Sequence, residues 1–166
     1  MPYTPNYAAG DVLTAAAMNS IGEAWSTFGT TANFKQTGTT PALNLGSGAT
    51  WFCVYSQINK TVTVRGRITW GSTGLNAGNG AYRMDLPVTA KDTSSVSLGV
   101  ARFVDFGSLV YPGQIALAST TQAAFWYSEI NGTLSLSTVT ELGASNRPFT
   151  FGNADWIEYT LTYEAA

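Results

Sequence analysis

The sequence predicts an all-β fold, an antiparallel β-sandwich of jelly-roll type preceded by an extended arm and one short N-terminal helix. Three observations predict it. Residues 61–70 put Val62, Val64, Ile68 and Trp70 on one face and Thr61, Thr63, Arg65, Arg67 and Thr69 on the other, the period of two that marks a half-buried strand. Residues 156–164 repeat the pattern, with Ile157, Tyr159, Leu161 and Tyr163 alternating with Trp156, Glu158, Thr160 and Thr162. Turn chemistry recurs at roughly eight- to twelve-residue intervals, the rhythm of a sandwich of about eight short strands.

Residues 1–13 read as a polar arm in which Pro2 and Pro5 bias their predecessors toward extended backbone. Thr14 is placed to cap a short helix that Ala15, Ala16 and Ala17 start, and Gly29 to end it. The apolar positions Met18, Ile21, Trp25 and Phe28 are spaced three, four and three apart, a two-heptad seam. A helix of about four turns is marginal alone in water, so this stripe needs a cover. Either it packs on its own domain or it meets symmetry mates around a threefold axis. Residues 1–32 are read as an arm-and-helix unit for attachment and oligomerisation, and residues 33–166 as the β-sandwich domain.

Residues 33–49 are rich in Thr, Gly and Asn, and the apolar run 49–57 that follows reads as a strand covered on both faces. Asn59-Lys60 is a turn. Gly66 interrupts the apolar face of the next strand, which signals a bulge or the close approach of a bulky neighbour. Residues 71–80, GSTGLNAGNG, read as a long surface loop, and residues 81–86 as a strand with Tyr82, Met84 and Leu86 inward, closed by Pro87. In residues 95–106, Val96, Leu98 and Val100 are expected inward, with a shift of phase near Arg102 and Phe103. Tyr111-Pro112-Gly113 is turn chemistry, and residues 114–119 and 123–130 are further strands. Asn131-Gly132 is a hairpin signal that pairs residues 124–130 with 133–139. The loop 143–148 precedes the final strand.

Composition narrows the function. Of 166 residues 45% are apolar and only 11% charged, less than half the usual share of about a quarter. The expected surface is Ser/Thr/Asn/Gly-rich and partly buried against other subunits. Net charge is −2 with the basic residues scattered, so nucleic acid is not an expected partner. Arg65, Arg67 and Arg83 are the one local concentration, expected to pair with Asp85 or with a neighbouring subunit's carboxylates. The single cysteine, Cys53, lies in an apolar run and reads as a small buried hydrophobe. No run approaches the roughly 20 apolar residues of a membrane span, and the first residues lack the basic and apolar regions of a secretory signal, so synthesis in the cytoplasm is expected.

There is no histidine, which removes the usual general base of Ser or Cys catalysis and the commonest metal ligand. No phosphate-loop or dinucleotide motif occurs. Asp155 with Glu158, and Asp85 with Asp92, are close in sequence, but residues three apart on a strand point to opposite faces, which argues against a glycosidase pair. No catalytic residue, cofactor or metal is expected. Aromatic side chains such as Trp126 and Tyr127 remain as candidate sugar or protein contacts, though in strands most aromatics are core.

Two segments carry a resemblance. Residues 60–73, KTVTVRGRITWGST, followed by a glycine-rich loop and by LPVTA at 86–90, are similar to the β-structured domain that recurs in minor tail, fibre and capsid-fibre proteins of tailed bacteriophages. Residues 8–25, AAGDVLTAAAMNSIGEAW, resemble the opening of many phage tail and fibre proteins, where an arm and short helix join the protein to the virion. The resemblance implies a non-enzymatic structural protein located in the virion, a minor tail or fibre protein or, alternatively, a capsid decoration or head fibre. It implies a homotrimer that meets other virion proteins through its N-terminal arm, with Met18, Ile21, Trp25 and Phe28 as the oligomer or attachment seam. Leu75, Asn76, Asn79, Asn146 and Arg147, at loop tips, are candidates for contact with a host-surface glycan or protein. A carbohydrate-binding module or depolymerase fragment is the alternative from a different class.

Overall fold

A computed structural model describes residues 25–38, 40–93, 97–131, 135–143 and 148–166. These form an antiparallel all-β fold of ten strands: β1 (Ser26–Thr27), β2 (Phe34–Gln36), β3 (Thr50–Ile58), β4 (Thr61–Thr69), β5 (Tyr82–Asp85), β6 (Ser97–Val104), β7 (Val110–Leu117), β8 (Gln122–Asn131), β9 (Ser135–Glu141) and β10 (Trp156–Glu164). Across one sheet they run β1-β3-β4-β10-β6-β7-β8-β5-β2, with β9 a further partner of β8. A 3-10 turn, Thr31–Asn33, leads into β2, and there is no α-helix among the described residues. None of their helices is long and apolar enough to cross a membrane.

The C-terminal strand is the spine of the sheet. β10 pairs with β4 over its whole length and with β6 over most of it. The alternation read from the sequence holds: Ile157, Tyr159, Leu161 and Tyr163 are buried, as are Val62, Val64, Ile68 and Trp70 of the neighbouring strand and its end. The sheet curls on itself. Phe34 of β2, at one end of the strand order, meets Trp70, just past β4 near the other end, at 5.4 Å between ring centroids. Backbone bonds from Gly71 N to Leu45 O (2.8 Å) and from Ser72 N to Ser47 O (2.9 Å) close the same seam. The enclosed core is aromatic, with Phe34, Trp70, Tyr82, Phe125 and Phe151 in mutual contact.

Glycines make room where the curl is tight. A Cβ at Gly66 would meet the Tyr159 ring and the Phe52 carbonyl, which is the close approach expected there. At Gly113 a Cβ would run into the Phe103 ring. One row across the inner face reads Cys53, Gly66, Tyr159, Ala101, Gly113, Tyr127, so that small residues flank the large ones on a concave surface of limited volume.

Several local expectations are corrected. The helix expected to end at Gly29 is not helical over residues 25–30: Ser26 and Thr27 pair with Tyr55 and Val54 of β3, and the rest of that segment, residues 1–24, lies outside the described residues. Tyr111-Pro112-Gly113 is not a turn but part of β7. β8 pairs with β7 only from Gly113 onward, so at Pro112 β7 has a free edge, where a proline is tolerated. The turn lies earlier, with Ser108 N bonded to Asp105 O (3.0 Å) and Gly107 at φ 83°. Val100 points outward and is 62% exposed, because the register shift falls between Ser97 and Gly99 and not near Arg102; Ala101 and Phe103 are the inward residues. β3 is not covered on both faces throughout, since Phe52 is 54% exposed.

Other expectations hold. Asn59, at φ 53°, turns β3 into β4, and Cys53 is buried. Tyr82, Met84 and Leu86 face the core. β8 and β9 pair as a hairpin, but in a different register from the one expected: Asn131 is the last residue of β8 and lies opposite Ser135, and Trp126 lies opposite Glu141, while residues 132–134 lie outside the described residues.

Asp85 ties three strands together at the β5 end. Its carboxylate accepts from Lys35 Nζ (2.6 Å), Gln122 Nε2 (3.0 Å) and Asn33 Nδ2 (3.2 Å). Partial burial pushes its pKa up, but the Lys35 and Gln122 hydrogen bonds, the Lys35 charge and the Asn33 bond outweigh this and hold it below the ordinary carboxylate value. A depressed carboxylate contributes stability that is present above its unfolded pKa of about 4 and is lost as pH falls through the folded value. Urea midpoints should therefore drop on acidification below about pH 4, and the drop should be smaller in Asp85→Asn. Equal acid sensitivity of the two proteins counts against the assignment.

Candidate functional site

Register builds one outward-facing surface on β3, β4, β10 and β6. Phe52, Arg67, Glu158 and Arg102 lie directly opposite one another in a row across the four strands. The next row is Val54, Arg65, Thr160 and Val100, and the row on the other side runs Thr50, Thr69, Trp156 and Val104. Residues opposite each other on one face have Cβ atoms about 5 Å apart, so these side chains interact by construction. Between them lies an open groove of about 710 Å³.

Glu158 is clamped from both sides. Arg67 Nη2 bonds its Oε1 and Arg102 Nη2 bonds its Oε2. Two further contacts fix the cations: the Arg67 guanidinium lies 4.8 Å from the Trp156 ring centroid, and that of Arg65 lies 4.4 Å from the Trp25 ring. Three guanidinium groups thus share the groove with one carboxylate, a local excess of positive charge on a chain whose net charge is −2. Ion pairs this exposed add little stability, so the effect of the clamp is to hold two planar forks at a set spacing. Phe52 and Val100 supply apolar walls, and the apolar surface continues past the groove through Val110 and through Phe106, whose ring lies 6.0 Å from Trp156.

Beneath the groove, Tyr159 and Cys53 are buried in the core. Burial pushes the Tyr159 phenol well above its ordinary value and the Cys53 thiol above its own, so neither ionises at neutral pH. A thiol held protonated is inert as a nucleophile. Asp155, buried beside β10, accepts from Phe106 N (2.8 Å) and Gly152 N (2.5 Å), anchoring the β6–β7 turn to the start of β10. No group of three or more His, Cys, Asp or Glu able to hold a metal occurs among the described residues.

The residues singled out from sequence fall in different places. Trp25 lies at the groove through its stacking on Arg65. Phe28 is half-buried against its own domain, its ring 6.5 Å from Tyr55 and its carbonyl accepting from Trp51 Nε1 at 2.7 Å. Leu75 packs on the core, Asn76 pairs through its backbone with Asn44, and Asn79 is exposed. Met18, Ile21, Asn146 and Arg147 lie outside the described residues. Of the expected arginine pairings, Arg83 bonds Glu141 (2.7 Å), while Asp85 is taken by Lys35.

Nothing local in the sequence marks Phe52, Val100, Arg102 and Glu158 as parts of one site. The outward positions of Arg65, Arg67 and Glu158 were legible in the alternation of their strands, but their adjacency depends on β10 lying between β4 and β6. Compared with protein-family models, with curated proteins and with solved structures, the chain matches none.

Proposed function

We propose that this chain is a non-enzymatic structural protein of a tailed-bacteriophage virion, a minor tail or fibre protein that assembles as a homotrimer and meets other proteins through the outer face of its sheet. The observation that carries the assembly role is the exposure of Phe52 (54%), Val100 (62%), Phe106 (63%) and Val110 (56%) on and beside one sheet face, in a chain with 11% charged residues. Apolar surface concentrated in this way marks a contact with another macromolecule. The virion assignment rests on the resemblance of residues 8–25 and 60–90 to tail and fibre proteins. The N-terminal arm is the attachment element in this reading, and host-surface contact falls to the loops.

Light scattering on the purified chain is expected to return the mass of three copies, and a monomer at micromolar concentration overturns the trimer. Gold-labelled antibody against the chain, applied to intact particles of the phage that encodes it, is expected to decorate the tail. Signal over the capsid faces moves the protein to the head as a decoration or head fibre, and unlabelled particles sink the virion reading. Turnover of a polysaccharide, lost on changing one Asp or Glu, would replace it with the depolymerase alternative.

A further inference from the structure

We propose that the groove on the outer sheet face receives a segment of a partner protein that presents carboxylates beside an apolar side chain. The inference rests on reading this face as a protein contact surface and adds the chemistry of the occupant. Charge decides the sign. Arg65, Arg67 and Arg102 outnumber Glu158 in the groove, opposite to the net charge of the chain, so an acidic partner is attracted and a second copy presenting the same face is repelled.

Geometry decides the group. Arg67 and Arg102 each commit one Nη2 to Glu158, and a guanidinium has five N–H donors in a planar fork. Glu158 is thus a positioning residue that holds two forks on adjacent strands, and the remaining donors match the two oxygens of a carboxylate. Stacking of Arg67 on Trp156 restricts its rotamers before any ligand arrives, which lowers the entropy lost on binding.

The walls decide between protein and sugar. Trp25 and Trp156 each turn a ring face to a guanidinium, and Phe106 lies against Trp156, so those faces are engaged and do not stack on a sugar. Both Glu158 oxygens are occupied by arginine, leaving Thr160 as the neutral polar side chain for hydroxyl groups. Phe52 and Val100 offer instead an apolar surface suited to a Phe, Leu or Val of the partner. A volume of about 710 Å³ accommodates several residues.

The test uses the full-length protein and a fluorescent hexapeptide, Glu-Phe-Glu-Val-Glu-Phe, read by polarisation at low salt. The peptide is expected to bind, and binding should weaken as salt rises. Arg102→Gln should weaken it roughly ten- to a hundredfold, as should replacing every Glu of the peptide by Gln, because a charge-assisted fork is removed. Phe52→Ser and Val100→Ser should each weaken it severalfold. These are exposed positions, and an unchanged melting temperature verifies folding.

No binding of the acidic peptide, equal binding of its Gln form, or indifference to both Arg102→Gln and Phe52→Ser overturns the proposal. Polygalacturonate forms the second arm: tighter binding of this polyuronate, lost in the same variants, assigns the groove to acidic glycan and overturns the protein occupant. These readouts are independent of particle labelling, so failure here and failure of the virion reading are separate results.

Discussion

Trp70→Ala is expected to lower the unfolding free energy by about 3–5 kcal/mol, a large part of a typical domain's stability. Trp70 is 1% exposed and sits where the curled sheet closes. It stacks on Phe151 with centroids 4.2 Å apart and planes 21° apart, and touches Phe34 and Tyr82 at 5.4 and 5.8 Å. These neighbours belong to β2, to β5 and to the segment before β10, so the cavity would open at the junction of three parts of the chain that cannot all collapse inward. Trp70→Phe should cost much less. The indole Nε1 is buried without a hydrogen-bond partner, and its removal offsets part of the lost packing. Urea unfolding at constant m-value measures both, and a Trp70→Ala midpoint near that of the parent protein would refute the closure.

Gly66→Ala is the second large effect. Its Cβ would lie 2.5 Å from the Phe52 carbonyl oxygen and 2.6 Å from Tyr159 Cζ, with Tyr159 Oη also in the way. Phe52 is on β3 and Tyr159 is on β10, the two strands that flank β4, so a single methyl group presses against both neighbours. Overpacking of this kind costs about 1–3 kcal/mol, here toward the upper end because one obstacle is backbone. Tyr159→Phe removes the nearest obstructing atom, the hydroxyl oxygen. The double variant Gly66→Ala/Tyr159→Phe should therefore lose less than the sum of the single losses, by more than about 0.5 kcal/mol. Strict additivity would show that the Tyr159 ring is not what Gly66 accommodates.

Both cases bear on how far the sequence could be read. Gly66 was legible as an interruption of an apolar face, because a residue without a side chain in the middle of a strand needs a reason. What fills the space was not, since Tyr159 is 93 positions later and meets Gly66 only through the pairing of β4 with β10. The misplaced turn at Tyr111-Pro112-Gly113 has the same origin. Locally, proline and glycine signal a break, but the end of β8 pairing beside Pro112 and the Phe103 ring over Gly113 make a strand the better place for them. A period of two puts Val100 in the core, and a register shift at residues 97–99 reverses it. A bulge leaves no compositional mark in a run of small and apolar residues.

The groove is the same lesson at the level of function. Alternation in β4 and β10 put Arg65, Arg67 and Glu158 on outward faces, yet nothing local joins Arg67 to a carboxylate 91 residues away or to Arg102 beyond it.

The amino-acid order alone settled the all-β class, most of the strands and which side chains along β4, β5 and β10 face the core, because a period of two is a local property of an extended backbone against one apolar phase. Strand order, the curling that brings Phe34 to Trp70, and the Arg67–Glu158–Arg102 row were decided only by tertiary structure. Pairing partners in an antiparallel sheet are chosen by how whole faces bury together, and that choice is made between segments distant in the chain.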